Sequence, residues 1–402
     1  MNLVTLEDLQ SARERVKEVL RPTPVDRSDS LSRLAGRTVL LKPEHRQRTG
    51  SFKIRGAYNR ISQLPPGVAV VAASAGNHAQ GVALAASLTG RESTIFMPKN
   101  ASLPKVAATR EYGATVRLEG DVVDDCFALA QEFAASTGAV FVPPFDDLDV
   151  IAGQGTIGLE LAEEAPEAEV VVVPVGGGGL VAGVAAALKL GPRAGGRPRV
   201  IGAEAAGAPT MSAALEAGHP VTLERMATMA DGISVARCSN LTLAHAQEFV
   251  DEVVTVDEEE ISRAMLLLVE RAKAVVEPSG AASLAAILAG HVPGDGPVVA
   301  LISGGNVDPL LLTKLIEHGL AAAGRYLTLR VVMADRVGAL AGLTTALAGL
   351  GLNVLGVEHH RSSRSLAVAE VEVQVTVETR DLEHHGEVVA ALTAAGYRVE
   401  PG

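Results

Sequence analysis

The segment VVVVPVGGGGLVAGVAAAL (170–188) decides the fold class of this chain. It carries no charge over 19 positions and could be mistaken for a membrane span. Pro174 and the glycines Gly176, Gly177, Gly178 and Gly179 would make a poor helix in lipid. A buried strand, a glycine turn and a helix explain the segment better, because strands covered on both faces are continuous apolar runs. The segment therefore predicts an α/β protein with no membrane partner.

Short apolar runs alternate with alanine-rich helical patterns from about residue 35 to about residue 310. The helical patterns include His78–Leu88 and Leu180–Leu188. This alternation is typical of a doubly wound parallel-sheet core, in which ligands bind at the carboxyl ends of the strands. The strand candidates are Thr38–Lys42, Ala69–Ala72, Ser93–Met97, Thr115–Leu118, Val170–Val175, Arg199–Ala203 and Val298–Ile302.

The residues after about Gly324 have a different pattern. The run AEVEVQVTVET (369–379) alternates valine with polar residues, which indicates a strand of an antiparallel sheet that is buried on one face. The order of elements around it, βαββαβ, is ferredoxin-like. We therefore expect two domains, at 1–320 and 325–402. The elements of the second domain are predicted at Tyr326–Met333, Gly338–Leu350, Asn353–Arg361, Ala369–Thr379, Leu382–Ala395 and Tyr397–Glu400.

Charge and cysteine content narrow the classes of partner. The 402 residues include 35 Lys and Arg against 47 Asp and Glu, a net charge of −12, with no basic block. This balance argues against nucleic acid as a partner. Cys126 and Cys238 form neither a disulfide framework nor a zinc spacing, so we expect a reducing, cytoplasmic location. The N-terminus lacks a signal peptide and is predicted to be an amphipathic helix capped by Thr5 and Asp8.

Four motifs lie near predicted strands and could carry chemistry. In TGSFKIRG (49–56), Lys53 stands between Phe52 and Ile54, and apolar surroundings make a lysine easier to deprotonate. The others are turns of small residues, where backbone N–H groups and a helix N-terminus bind anions. Each motif alone also has a structural explanation, as a surface lysine or an ordinary turn. The three turns are ASAGNHAQG (73–81), PVGGGGL (174–180) and ISGGNV (302–307).

Taken together, the lysine and the turns indicate a phosphate-bearing cofactor with a carbonyl group, hence pyridoxal phosphate. The pattern Gly177-x-Gly179-x-x-Ala182, followed by Glu204, also allows a nicotinamide dinucleotide. That alternative is weaker, because the acidic residue lies 27 residues after Gly177 instead of about 20.

Six blocks in this order resemble the fold type II pyridoxal phosphate enzymes, and the nearest resemblance is to the threonine dehydratase family. The resemblance covers nearly all of residues 1–320. The run DRVGAL (335–340) is similar to the first strand-to-helix turn of an ACT domain. The six blocks are SFKIRGA (51–57), SAGNHAQGVA (74–83), IAGQGT (151–156), PVGGGGL (174–180), VEPSGA (276–281) and SGGN (303–306).

The resemblance implies a role for individual residues. Lys53 is implied to be the Schiff-base lysine and the base that removes the α-proton, with Phe52 against the cofactor. Asn77 is implied to bond the ring hydroxyl, and Ser303 to face the pyridine nitrogen. The phosphate is implied to lie on Gly176, Gly177, Gly178 and Gly179. The loop that receives the substrate carboxylate is implied to consist of Ser74, Gly76, Asn77 and His78.

The resemblance also implies the reaction. Water is eliminated from L-threonine, and more slowly from L-serine, to give 2-oxobutanoate or pyruvate and ammonia. Alternatives are a serine racemase, another type II β-eliminase, or a non-catalytic amino-acid sensor. Ala75 stands where the racemase has a second serine, and Phe145 in PPFDD is similar to the dehydratases. At the racemase cation site this chain has Glu204 and Ala208 but Thr210 as the second acidic position, so we expect no Mg²⁺; a monovalent cation stays open.

The ACT-like region implies regulation by an amino acid, because such domains pair their sheets and bind amino acids at the interface. By this analogy Asp335, Gly338, Asn353 and Leu355 are candidate effector contacts, although they could equally be turn and capping residues. The adjacent histidines of EHHR (358–361) point to opposite faces of a strand, which argues against a metal site there. We expect a homodimer or homotetramer. A role in isoleucine biosynthesis and a role in threonine breakdown both stay open.

Overall fold

A computed structural model describes residues 2–322, 324–361 and 366–401. The chain forms two compact units, Met1–Pro309 and Leu310–Gly402. The boundary that we predict at residue 320 falls within the helix Pro309–Ala322, and it stays a prediction.

The first unit contains two sheets with helices between their strands. The strands are β1 Asp26–Arg27, β2 Val39–Lys42, β3 Val70–Ala73, β4 Ser93–Met97, β5 Thr115–Leu118, β6 Val140–Phe141, β7 Val170–Pro174, β8 Arg199–Ala205, β9 Glu252–Val256 and β10 Val298–Leu301. The helices are α1 Leu6–Val16, α2 Asp29–Ala35, α3 Lys53–Ser62, α4 Asn77–Leu88, α5 Leu103–Glu111, α6 Val123–Thr137, α7 Leu148–Glu164, α8 Gly179–Leu190, α9 Thr210–Ala217, α10 Asn240–Phe249, α11 Glu258–Leu267 and α12 Pro278–Leu288.

The strand order brings the sequence motifs together. The larger sheet has the order β1-β2-β10-β7-β8-β9 and is parallel except for β1, and the smaller sheet has the parallel order β5-β4-β3-β6. Because β2, β10 and β7 are neighbours, the segments that follow them lie side by side at one edge. In the smaller sheet, the segments after β3 and β6 are neighbours for the same reason. Ligands of open α/β sheets bind where the strand order reverses in this way.

The apolar segment 170–188 is a buried strand and helix, as predicted. All residues of β7 are buried, and α8 packs the larger core with alanine and valine. No helix in the described ranges is long and apolar enough to cross a membrane. The N-terminal prediction is also confirmed, since Thr5 and Asp8 form a capping box at the start of α1.

The second unit has the order of elements that the sequence predicts. Its elements are α13 Pro309–Ala322, β11 Tyr326–Ala334, α14 Ala339–Gly349, β12 Val354–His360, β13 Glu370–Glu378, α15 Leu382–Ala394 and β14 Arg398–Pro401. The antiparallel sheet has the order β12-β13-β11-β14. The alternating valines of β13 are buried against Leu343 and Leu347 of α14 and Val388 and Leu392 of α15.

Three short strands were not predicted. β1 and β6 have two residues each, and β9 lies at an edge of the larger sheet, where it exposes most of its residues. Edge strands carry a weaker apolar signal because one side faces solvent. The fold class is otherwise confirmed.

Candidate active site

Lys53 is the first residue of α3 and lies in a cleft between the two sheets of the first unit. Its Nζ donates a hydrogen bond to the carbonyl oxygen of Pro144, at 2.9 Å, in the segment after β6. It also lies 5.2 Å from the centre of the Phe52 ring. Desolvation lowers the pKa of Lys53 to about 8, although the carboxylate of Glu277 acts in the opposite direction. An amine with this pKa is available as a nucleophile or base near neutral pH.

The loop before Lys53 is held against the segment that follows β10. The N–H of Phe52 donates to the carbonyl oxygen of Ser303 at 3.1 Å, and the N–H of Gly305 donates to the carbonyl oxygen of Gly50 at 2.8 Å. Thr49 has a φ of +63°, which is rare for a β-branched residue. Backbone strain of this kind persists only where the surroundings enforce it. The loop therefore places Lys53 and Ser303 on the same edge of the cleft.

Two helices begin at the cleft without a side-chain cap. They are α4, which follows β3, and α8, which follows β7. The first backbone N–H groups of a helix have no partner within it, so both N-termini favour an anion. This arrangement offers one anion position at Gly176–Gly179 and a second at Ser74–His78.

The glycine loop before α8 fits a phosphate group. A Cβ added to Gly177 would lie 2.2 Å from Cδ1 of Phe145, and one added to Gly176 would lie 2.8 Å from Cα of Ile233. Gly178 has a φ of +90°. Side chains therefore cannot replace these glycines without displacing neighbours. Together with the deprotonable amine of Lys53, this cradle fits pyridoxal phosphate.

The 74–78 loop is partly exposed to the cleft, except for His78. The N–H of Gly76 donates to Oγ of Ser74 at 3.2 Å, and Nζ of Lys105 would lie 4.0 Å from a Cβ on Gly76. The His78 ring is buried and bonds the carbonyl oxygen of Val142 at 2.9 Å. Desolvation and the nearby Lys53 lower the pKa of His78 to about 3, so the ring is neutral. The backbone of His78, in the first turn of α4, is the part that can meet a carboxylate.

Three groups around the lysine were not predicted as site residues. Glu277 of VEPSGA is buried and accepts a hydrogen bond from Nδ2 of Asn77 at 2.5 Å. Desolvation and Asp231 raise the pKa of Glu277 to about 7. Asn306 bonds Asn77 from the other side, at 2.7 Å, and Phe145 packs against the glycine loop. The sequence motifs contain all three residues, but only contacts across the fold show what they touch.

Glu204 lies apart from any cation cluster in the described part of the chain. Its carboxylate accepts hydrogen bonds from the N–H groups of Met211 and Ser212, at 2.6 and 2.9 Å, and from the Ser212 hydroxyl at 2.7 Å. The carboxylate thus serves the start of α9. Within the described ranges, no group of three or more His, Cys, Asp or Glu residues could hold a metal ion.

The four candidate effector residues fall at two ends of the second unit. β11 and β12 run in the same direction, because both are antiparallel to β13. Asp335 and Gly338 follow the end of β11, whereas Asn353 and Leu355 stand at the start of β12. β13 spans this separation from Glu370 to Val377, a distance on the order of 20 Å. One chain does not bring the four residues together.

The fold and the cleft define a class of protein: an α/β enzyme that holds a phosphate-bearing carbonyl cofactor on a glycine cradle beside a lysine. The family model described as "Pyridoxal-phosphate dependent enzyme" matches residues 16–304, and the model described as "ACT domain" matches residues 327–396. The chain belongs to the pyridoxal-phosphate-dependent enzyme family and carries a C-terminal ACT domain. The predicted family, fold type and cofactor are confirmed.

Known relatives match the chain over nearly its whole length. It is 45% identical to the L-threonine ammonia-lyase of Thermotoga maritima over 401 residues, covering 99% of each chain. It is 44% identical to the L-threonine ammonia-lyase of Geobacter sulfurreducens, covering 98% of each. A solved threonine deaminase, from the organism abbreviated T.th., has a TM-score of 0.71 at 41% identity, over 76% of this chain and 99% of that one. Maize serine racemase has a TM-score of 0.73 at 35% identity, over 80% and 99%.

Proposed function

We propose that the protein is a pyridoxal-phosphate-dependent L-threonine ammonia-lyase that also acts, more slowly, on L-serine. The observation that carries the proposal is the 45% identity to a protein of that name over 99% of both chains. The reaction removes the α-proton and the β-hydroxyl of threonine as water. Hydrolysis of the resulting enamine then gives 2-oxobutanoate and ammonia, so the atoms balance.

Pyridoxal phosphate, when bound, supplies an electron sink for the negative charge that develops at the α-carbon of an amino acid. Lys53 would hold it and then take the α-proton at Nζ, which its lowered pKa permits near neutral pH. Gly176, Gly177, Gly178 and Gly179 would hold the phosphate at the start of α8. Asn77 would bond the ring hydroxyl, Ser303 would face the pyridine nitrogen and Phe52 would lie against the ring.

The substrate carboxylate would bind at the start of α4. The loop of Ser74, Gly76, Asn77 and His78 lies there, and the helix end lacks a side-chain cap. Lys105, near Gly76, adds a positive charge, although it also forms an ion pair with Asp231 at 2.5 Å. This fixed position would orient the α-carbon of the substrate toward Lys53.

A serine racemase is the second candidate, because a racemase structure matches the first unit closely. Racemisation requires a proton donor on the face of the α-carbon opposite Lys53. Ala75 occupies the position where the racemase has a serine and offers no such donor. Elimination therefore explains the residues better than racemisation.

The test is to incubate the pyridoxal-phosphate-loaded protein with L-threonine and L-serine in parallel, and to measure 2-oxo acid and D-serine. We expect 2-oxobutanoate from threonine, slower pyruvate from serine, and no product with Lys53→Ala. D-serine without 2-oxo acid would instead identify a racemase. A protein that binds the cofactor but forms neither product would indicate the amino-acid sensor.

We also propose that an amino acid regulates the enzyme through the ACT domain. Asp335 with Gly338, and Asn353 with Leu355, would form two halves of an effector site that two copies of the chain complete. The separation of the halves within one chain supports this arrangement. It requires a homodimer or homotetramer, and light scattering with and without candidate amino acids tests it. The free cysteines Cys126 and Cys238 support a cytoplasmic location.

A further inference from the structure

The side-chain amide of Asn77 is held at both ends. Its oxygen accepts a hydrogen bond from Nδ2 of Asn306 at 2.7 Å, and its nitrogen donates to Oε1 of Glu277 at 2.5 Å. Nδ2 of Asn306 also donates to the carbonyl oxygen of Thr49 at 2.7 Å. A backbone carbonyl can only accept, so the Asn306 atom that faces it must be nitrogen. The Asn77 atom that meets this nitrogen must in turn be oxygen.

Two glycines allow both partners to approach Asn77. A Cβ on Gly304 would lie 2.0 Å from Oε1 of Glu277 and 3.1 Å from Nδ2 of Asn77. A Cβ on Gly50 would lie 2.5 Å from Oδ1 of Asn306. Any other residue at either position would displace a member of the network. The chain from Thr49 through Asn306 and Asn77 to Glu277 therefore depends on the backbone around it.

One N–H of Asn77 remains available. Glu277 takes the first, and among the described residues no acceptor lies within hydrogen-bond distance of the second. Asn77 is the first residue of α4 and is partly exposed to the cleft that contains Lys53. The network therefore leaves a single donor of known orientation at the cleft.

We infer that Glu277 and Asn306 are positioning residues, which orient Asn77 so that its free N–H meets the ring hydroxyl of the bound cofactor. The inference rests on the proposed role of Asn77 in cofactor binding. The terminal torsion of an asparagine has two broad minima that exchange the oxygen and the nitrogen. In the wrong orientation an amide oxygen would face the electron-rich ring oxygen. Two partners of opposite hydrogen-bonding type select the productive orientation.

Asn306→Asp tests the inference, because it keeps the shape of the side chain and removes both donors. The readouts are the dissociation constant of pyridoxal phosphate by equilibrium dialysis and the visible spectrum of the bound cofactor, both without turnover. We expect binding to weaken on the order of tenfold, as for an unsatisfied buried polar group, with a shifted absorption maximum. Glu277→Gln keeps an acceptor and should bind close to wild type, whereas Glu277→Ala should resemble Asn306→Asp.

A double-mutant cycle separates positioning from a general structural effect. In an Asn77→Ala background, Asn306→Asp should cause little further loss of cofactor affinity. An equal loss in both backgrounds would overturn the inference. If Asn306→Asp does not fold, the same cycle with Glu277→Ala decides the question.

Asn59→Asp is the matched control. Asn59 is a buried amide on α3 that donates to the carbonyl oxygen of Asp149 at 2.7 Å and accepts from Arg15 at 3.1 Å. Its replacement should lower the unfolding temperature but leave the affinity and the spectrum unchanged. Wild-type protein that fails to bind pyridoxal phosphate would refute the proposed function together with the inference. Normal wild-type binding with unchanged Asn306 and Glu277 variants would refute the inference alone.

Discussion

Arg55, two residues after Lys53, is buried within a group of charges, and replacing it by methionine tests how α3 is anchored. Its guanidinium bonds both carboxylate oxygens of Glu44 at 2.8 Å, and both of Glu160 at 2.6 and 3.0 Å. Neither Arg55 nor Glu44 is exposed to solvent. Lys42 also bonds Glu160, at 2.8 Å. Burial alone would raise the pKa of Glu160, but Arg55 and Lys42 together lower it.

The magnitude follows from what Arg55→Met leaves behind. Glu160 is partly exposed and keeps Lys42, whereas Glu44 keeps only the hydroxyl of Thr23, at 2.6 Å, among its described side-chain partners. Removing one partner of a buried ion pair costs about 3–5 kcal/mol, because the other charge stays buried without compensation. We expect the free energy of unfolding to fall by about this amount at neutral pH. The loss should shrink as the pH falls, because protonation removes the unpaired charge.

Urea unfolding, followed by far-ultraviolet circular dichroism, measures this loss. The matched control is Arg13→Met, because Arg13 also bonds both oxygens of one carboxylate, that of Glu163 at 2.5 and 2.6 Å. The side chains of that pair are 39% and 59% exposed, so the control should lose less than about 1 kcal/mol. Adding Glu44→Gln to Arg55→Met should recover part of the stability. Equal losses in Arg55→Met and Arg13→Met would refute the reasoning.

Three further predictions concern the cleft. Gly177→Ala should weaken pyridoxal phosphate binding at least about tenfold in equilibrium dialysis, because its Cβ would overlap Phe145, whereas Gly386→Ala, with no atom within 4 Å of the added Cβ, should not. The raised pKa of Glu277 contributes stability that is complete below pH 4.5 and is lost as the pH rises through about 7. Glu277→Gln should therefore flatten the pH dependence of urea unfolding of the cofactor-free protein over this window, and an unchanged slope would contradict the assignment. In cofactor-free protein, labelling of Lys53 by an amine reagent should rise around pH 8, and a midpoint near 10.5 in peptide mass spectrometry would count against the desolvated site.

Much of the fold could be predicted from local pattern. The uncharged run at β7 and the alternating valines of β13 each report how many faces of a strand are buried, because apolar periodicity follows burial directly. The two-residue strands β1 and β6 carry too few residues for a period. Their pairing with β2 and β3 depends on neighbours far along the chain.

The candidate site divides in the same way. Glycine turns and the lysine are local signals, so the sequence points to Lys53 and Gly177 without a structure. The contacts of Asn77 with Glu277 and Asn306 join residues separated by 200 and 229 positions. The same holds for Phe145, whose ring fills the space that the absent side chain of Gly177 leaves. No spacing rule predicts such pairs.

The regulatory residues show a different limit. Asp335 and Asn353 are both near turns, and their separation within one chain follows from the direction of β11 and β12. A sequence pattern can suggest effector contacts, but it does not say that two copies must supply them.

The central claim is that Lys53 holds the cofactor, and peptide mapping after borohydride reduction tests it most directly. Reduction of the pyridoxal-phosphate-loaded protein fixes the cofactor to the amine that carries it, and mass spectrometry of the proteolytic peptides identifies the residue. We expect a single modified peptide that contains SFKIR (51–55), with the added mass on Lys53 and none in Lys53→Ala. Modification of another lysine, such as Lys105 at the mouth of the cleft, or no modification at all, would contradict the account.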